Sequence, residues 1–234
     1  MKGFTVVIPV YNEEELITDN TKKLINFLDA LKIPYEIIIG DNGSTDSTYQ
    51  KGKKLMENHP NKVRFFYIRK KGSVGTVFKK AVLSSIYEKI ITMDMDLLVD
   101  LNFIPRCIDL LDEYNMVIGS KRVGSQDRPL LRKLISDIFI KMVEVFLGLK
   151  FKDYSLACKG YRRSDVIDEI YLIDKGSSYV IALAFVLKRK GLKIKEIPVL
   201  CFDRRKSKFN IIGESIYRLR NLIIFLIRIK TNNS

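Results

Sequence analysis

The chain has 234 residues, 47% hydrophobic and 29% charged, a balance that excludes a disordered chain and fits one α/β domain of ordinary size. No stretch reaches the ~18 uncharged apolar residues of a membrane-spanning helix, and Met1 to Pro9 is an apolar run too short and too β-branched for a signal peptide, so export is not expected. Lys and Arg number 41 against 27 Asp and Glu, and the net charge of +14 favours phosphorylated substrates, anionic lipid headgroups or nucleic acid.

Phe4–Val10 reads as a buried strand, and Glu13 to Leu31 as a helix with Leu16, Leu24, Phe27, Leu28 and Leu31 near a 3.6-residue period. Glu36–Gly40 is a second strand, followed by the turn Asp41–Ser47 and a helix to Asn58. Val63–Ile68, the helix Val74–Tyr87 and the strand Lys89–Met93 continue the alternation, which implies a mostly parallel sheet with helices on both faces. Further strands are expected at Met116–Ser120 and Lys193–Val199 and helices at 129–147 and Tyr179–Lys190, with Phe151–Tyr161 irregular. A catalytic domain over 1–208 and a C-terminal amphipathic segment over 209–234 describe the organisation.

In an open parallel sheet, ligands bind beyond the carboxyl ends of the strands, and Asp41, Asp94 and Asp96 all fall just past such ends. Asp94-Met-Asp96 places two carboxylates on one side of an extended chain, hard oxygen ligands suited to Mg2+ or Mn2+. Taken alone, such a pair is as readily a solvated loop cap. Asp41 to Asp46 reads as a glycine-containing turn capping a helix, from which Asp41 could accept a hydrogen bond from a base or ribose. Pro9-Val-Tyr-Asn-Glu13 closes the first strand; Tyr11 could stack on a base and Glu13 bind a sugar hydroxyl, though by itself this is a β-to-α turn. Cys107, Cys158, Cys201 and His59 have no metal-ligand spacing, so a zinc site is not supported and reduced thiols are expected.

These three elements, in this order, resemble family 2 glycosyltransferases of GT-A fold, and most closely the polyprenyl-phosphate branch that includes the dolichol-phosphate mannose synthases. Pro9 to Glu13 matches that family's Pro-x-Tyr-Asn-Glu, and Asp41 to Asp46 its Asp-Asp-Gly-Ser-x-Asp, with Asn42 at the second Asp. The resemblance implies a donor site of Pro9, Tyr11, Glu13, Asp41, Asp94 and Asp96, the last two also holding the metal; Leu98 stands where the synthases often carry a third polar ligand. Downstream, Val117 to Lys121 resembles a stretch ending Gly-Ser-Arg, and Arg132 to Ser136 the Arg-x-Leu-x-Ser segment. Asp153 to Arg163 resembles Asp-x-Thr-Ser-Gly-Phe-Arg-x-Tyr-Arg-Arg with departures at Leu156, Ala157, Cys158 and Lys159, and Asp203 to Lys208 a shortened basic loop. The resemblance further implies metal-assisted, inverting transfer of a hexose from a GDP-mannose or UDP-glucose type of donor to a polyprenyl or dolichyl phosphate. Lys121, Arg132, Ser136, Arg204 and Lys208 would hold the acceptor phosphate, and Asp96, Asp153, Arg132 and Ser136 would be the catalytic set.

A phosphate acceptor is already nucleophilic at neutral pH, so cations that bring two anions together matter more than a strong base. Asp153 has two readings, a residue orienting acceptor or metal and a structural loop cap; for a hydroxyl acceptor it would be the leading base. Residues 209–230 read as an amphipathic helix with Ile212, Ile216, Leu219, Ile223, Leu226 and Ile227 on one stripe and Arg218, Arg220, Arg228 and Lys230 at its borders. It either docks on the core or rests on an anionic bilayer beside a lipid-linked acceptor, which would make the protein peripheral on the cytoplasmic face. Asn42, Leu98 and the altered 156–159 segment keep open a catalytically silent or regulatory homologue that binds nucleotide or membrane, and a transferase acting on a sugar hydroxyl is a further alternative. Nucleic-acid binding is not expected, because the basic clusters lack interleaved aromatic stacking platforms. Oligomeric state is not specified by these features.

Overall fold

A computed structural model describes residues 3–69, 74–121, 130–174, 176–201, 217 and 219–227, with 130–133 given by backbone alone. In chain order the elements are β1 (Phe4–Val10), α1 (Ile17–Ala30), β2 (Tyr35–Asp41), α2 (Thr48–Asn58), β3 (Val63–Tyr67), α3 (Val74–Ser84), β4 (Lys89–Thr92), α4 (Phe103–Leu110), β5 (Met116–Ser120), α5 (Leu130–Leu147), β6 (Lys159–Arg162), α6 (Arg163–Asp168), α7 (Tyr179–Arg189) and β7 (Ile194–Pro198). The strands form one sheet in the order β3-β2-β1-β4-β6-β5-β7.

Burial on both faces explains why the inner strands read as nearly continuous apolar runs. From β1, Phe4, Val6, Ile8 and Val10 enter one cluster with Ile17, Leu24 and Leu28 of α1 and Phe103 and Ile104 of α4. Val7 points the other way, into a second cluster with Phe78 of α3, Val143 of α5 and Leu183 of α7. Each such side chain contributes about 1.5–3 kcal/mol relative to exposure.

Two expectations change. The helix expected from Glu13 begins at Ile17, because the Glu13 amide donates to Thr48 Oγ1 (2.8 Å) and the Glu14 amide to an Asp46 carboxylate oxygen (3.2 Å), fixing the preceding turn to the neighbouring loop. The segment expected to be irregular to Tyr161 ends in β6, which pairs antiparallel with both β4 and β5. Four residues with a central glycine carry too weak a period to be read as a strand. Gly160 is required there: a Cβ would lie 2.1 Å from Cys107 Sγ on α4.

The antiparallel strand positions the site. Parallel strands deliver their last residues to the carboxyl edge of the sheet, whereas β6 delivers its first, with Lys159 paired to Thr92 of β4 and to Ile118 of β5. The loop 153–158 therefore lands beside Asp94. The described part of the C-terminal segment is a helix at 219–227; Leu222 is buried and Phe225 and Leu226 pack on the second cluster.

Candidate active site

The loops after β1 and β2 are joined by reciprocal hydrogen bonds. The Asn12 amide donates to Ser44 Oγ (2.9 Å), and the Thr45 amide donates back to Asn12 Oδ1 (2.9 Å). The Ser47 amide donates to a Glu14 carboxylate oxygen (3.1 Å) and Lys51 Nζ to the Glu14 carbonyl (2.8 Å). Asn12 takes φ +52°, a left-handed conformation that Asn tolerates better than most residues. The Asn12, Ser44 and Asp46 side chains thus build the scaffold, and Pro9, Tyr11 and Glu13 are half-buried along its edge.

Asp41 ends β2 fully buried. One carboxylate oxygen accepts the Ser44 amide (2.9 Å); the other is buried with no hydrogen-bond partner among the described residues. Buried polar atoms are normally paired, so an unpaired carboxylate oxygen here suits a donor group on a ligand.

Asp94 and Asp96 follow β4 in a tight turn. The Leu97 amide bonds the Asp94 carbonyl (3.3 Å) and the Leu98 amide an Asp96 carboxylate oxygen (3.2 Å). Leu97 has φ +50°, a costly conformation for a bulky residue that must be held by its surroundings. Part of the hold comes from Asn20, buried on α1, whose Nδ2 donates to the Met95 carbonyl (2.9 Å). No motif marks Asn20; the one sequence signal is an amide at a core-facing position of α1, where Ile17, Thr21, Leu24 and Leu28 are also buried.

Asp94 is exposed to solvent and lines a small depression with Asp96, Leu97, Leu98 and Cys158. Burial pushes its carboxyl up to about 6, Asp96 adds repulsion, and Lys121, Lys159 and the Ala157 amide pull the other way. Among the described residues neither carboxylate forms an ion pair, and no three His, Cys, Asp or Glu side chains are grouped so as to hold a metal ion by themselves. Two mutually repelling hard-oxygen donors on an accessible floor fit a divalent cation that takes its other ligands from diphosphate and water, as Mg2+ commonly does.

Asp153 is only 2% exposed. One carboxylate oxygen accepts the Ser155 amide (3.0 Å), the Ser155 hydroxyl (2.9 Å) and the Leu156 amide (3.1 Å), and the other the Lys121 amide (3.4 Å). Burial raises its carboxyl, but Lys159, Lys121 and the Ser155 bonds outweigh that and hold it below the usual range. Lys121 is itself buried, close enough to act on both Asp94 and Asp153.

The remaining expected residues are not gathered by the described structure. Arg132 and Ser136 are one turn apart on α5 and share a helix face; Ser136 is half-buried and only the backbone of Arg132 is described. Arg204 and Lys208 lie outside the described residues, as do Ile212 and Ile216.

A mostly parallel sheet with an acidic pair after its fourth strand, and a buried carboxylate two strands away, defines a nucleotide-diphospho-sugar transferase architecture of the GT-A kind. Solved structures share it: a mycobacterial protein superposes with TM-score 0.69 at 16% identity, covering 96% of this chain and 75% of that one. Glucosyl-3-phosphoglycerate synthase from Mycobacterium tuberculosis, in complex with Mn2+, UDP and phosphoglyceric acid, gives 0.68 at 18% identity, covering 96% and 78%. Residues 5–169 match the model of the family described as glycosyl transferase family 2, and the chain belongs to that family. It is 28% identical over 223 residues to the undecaprenyl-phosphate 4-deoxy-4-formamido-L-arabinose transferases of Salmonella choleraesuis and Salmonella typhimurium. That alignment covers 95% of this chain, which spans 65% of the length of those relatives.

Proposed function

We propose that the protein transfers a sugar from a nucleoside-diphosphate donor to a polyprenyl phosphate. The observation that carries this is the acidic pair Asp94 and Asp96 at the carboxyl edge of the sheet, on the same edge as the buried, unpaired oxygen of Asp41. Asp41 would accept from the base or ribose, Tyr11 stack on the base, and Pro9 and Glu13 line the donor cleft. Mg2+ or Mn2+ on Asp94 and Asp96 would offset the charge of the departing nucleoside diphosphate. The Mycobacterium tuberculosis synthase has been solved with Mn2+ and UDP-glucose, which supports a metal-assisted donor site of this kind.

The acceptor reading is supported by the state of Asp153. A sugar hydroxyl would need a base, and the leading candidate is buried, engaged by loop hydrogen bonds and held below the usual carboxylate range, which makes it a weak base. A phosphate needs positioning among cations instead, which Lys121, Arg132, Arg204 and Lys208 would supply with Ser136. The Salmonella relatives, named for undecaprenyl phosphate, point to the same acceptor class.

Peripheral membrane contact belongs to this reading. Among the described residues no helix is long and apolar enough to cross a membrane. Yet α5 leaves Leu134, Ile138, Val145 and Phe146 exposed, and the C-terminal helix leaves Leu219, Ile223 and Ile227 exposed at i, i+4, i+8 spacing. Its other face is docked, with Tyr217 Oη donating to Asp174 (3.2 Å), Asn221 Nδ2 to Ser178 Oγ (3.1 Å) and Phe225 meeting Phe185 edge-on. The docked face supports the core-docked reading and the exposed face the interfacial one, and Leu226, expected on one stripe with Leu219, Ile223 and Ile227, packs on the core.

The test offers a panel of nucleotide-sugars with Mn2+ and undecaprenyl or dolichyl phosphate, and assays lipid-linked sugar. Metal-dependent product with one donor is expected. Neither transfer nor donor hydrolysis would instead indicate a silent homologue.

A further inference from the structure

We propose that Tyr217, on the C-terminal helix, is a positioning residue for the donor site, bearing on Asp41 through the turn before α7, the start of α3 and the glycine that precedes Asp41. This rests on the reading of Asp41 as a donor residue.

The contacts run along one edge of the sheet. α3 and α7 each lead into a strand of the parallel set, β4 beside β1 and β7 beside β5, so both helices begin at the carboxyl edge. Asp174, just before α7, joins two elements there. One of its carboxylate oxygens accepts the Tyr179 amide (3.0 Å) and the other the Tyr217 hydroxyl (3.2 Å). Asn221 Nδ2, one turn further along the C-terminal helix, donates to Ser178 Oγ (3.1 Å). Tyr179 in turn stacks on Phe78 of α3, with ring centroids 4.6 Å apart and planes 13° from parallel.

The line continues through glycines that allow close approach. A Cβ on Gly176 would overlap the Tyr217 hydroxyl, one on Gly75, in the first turn of α3, would overlap the carbonyls of Asp174 and Gly176, and one on Gly40 would overlap Val77 of α3. Val77 is fully buried, and Gly40 immediately precedes Asp41 in β2. Contacts packed this closely transmit displacement rather than absorb it. Shifting the Tyr217 hydroxyl shifts the turn on which α3 rests, and α3 sets the position of the strand end that carries Asp41. A tyrosine that only docked the helix would matter to stability alone. One that bears on this line must also matter to what Asp41 binds.

The experiment measures binding of UDP and GDP, each with Mn2+, to the full chain by calorimetry, alongside the melting temperature. Tyr217→Phe, which removes only the hydroxyl, should weaken the nucleotide that binds wild type by about threefold or more, and Gly75→Ala by about tenfold. Phe225→Ala removes the edge-on contact with Phe185 from the same helix, two turns beyond Tyr217. It should lower the melting temperature at least as far as Tyr217→Phe yet leave nucleotide affinity within about twofold of wild type. A Tyr217→Phe variant that binds nucleotide like wild type overturns the proposal and leaves the donor-site reading standing. An equal loss in Phe225→Ala overturns it too, by assigning the effect to general loosening of the helix. A wild-type chain that binds neither nucleotide sinks the donor-site reading and this proposal with it. If Gly75→Ala does not fold, Tyr217→Phe decides under the same criteria.

Discussion

The proposed donor side and the proposed acceptor side of the cleft are built differently. On the donor side, β1, β2 and β4 run parallel and end at one edge, and short polar side chains such as Asn12, Ser44 and Asp46 join neighbouring loops. On the proposed acceptor side an antiparallel strand enters between β4 and β5, and its first residue brings a buried lysine that bonds the loop before it. The first arrangement fixes carboxylates by local turns. The second ties a loop to a neighbouring strand end through a buried lysine on two backbone carbonyls, which contiguous motifs do not encode.

The donor side should suffer most from loss of the acidic pair. Asp96→Ala should lower kcat for transfer by about 100-fold or more, the scale on which lost transition-state charge stabilisation is felt, with the melting temperature unchanged; near-normal turnover would remove Asp96 from the site. Next comes pH. Because Asp94 is pushed up to about 6, Mn2+ affinity should fall about tenfold per unit as pH drops below that value. The metal-free fold should show the opposite trend. A carboxyl raised in the folded state binds its proton more tightly there than when unfolded, so its contribution to stability is present at low pH and is lost as pH rises from about 4 to 6. Asp94→Asn should flatten that part of the melting-temperature profile, and an unchanged profile would assign the slope to another group.

A smaller effect is expected at Asn20. Asn20→Ala leaves the Met95 carbonyl unpaired and should cost about 1–2 kcal/mol of stability, with a several-fold rise in donor KM that reports loosening of the acidic turn. Unchanged KM would make Asn20 purely structural. The smallest effect on the fold should come from Ile223→Glu, on the exposed face of the C-terminal helix. It should leave the melting temperature within about 1 °C, as surface changes usually do, yet reduce co-sedimentation with anionic vesicles several-fold. Leu222→Ala, one residue away and buried, should destabilise by about 2–5 kcal/mol. Equal vesicle binding by wild type and Ile223→Glu would argue against a bilayer contact.

Legibility in the sequence divides along the same line. The parallel β-α units show clearly because doubly buried strands such as Phe4–Val10 and amphipathic helices such as α1 carry strong periods, and Asp41, Asp94 and Asp96 stand out at strand ends. β6 is short, glycine-containing and opened by a lysine, so nothing in its composition announces a central strand. Asn20 bonds one carbonyl and Lys159 two, each remote in sequence or hidden in a loop, and no spacing rule reveals such partners. The C-terminal helix is legible as amphipathic but not in phase, since both its docked and exposed faces are apolar.

The most direct test of the donor site is calorimetric titration of UDP and GDP into the full chain at neutral pH, with and without Mn2+, for wild type and Asp96→Ala. One nucleotide should bind wild type at least about tenfold more tightly with the metal, and Asp96→Ala should lose that gain while keeping its fold. Binding equally tight without Mn2+, or a metal gain that survives in Asp96→Ala, would contradict the assignment.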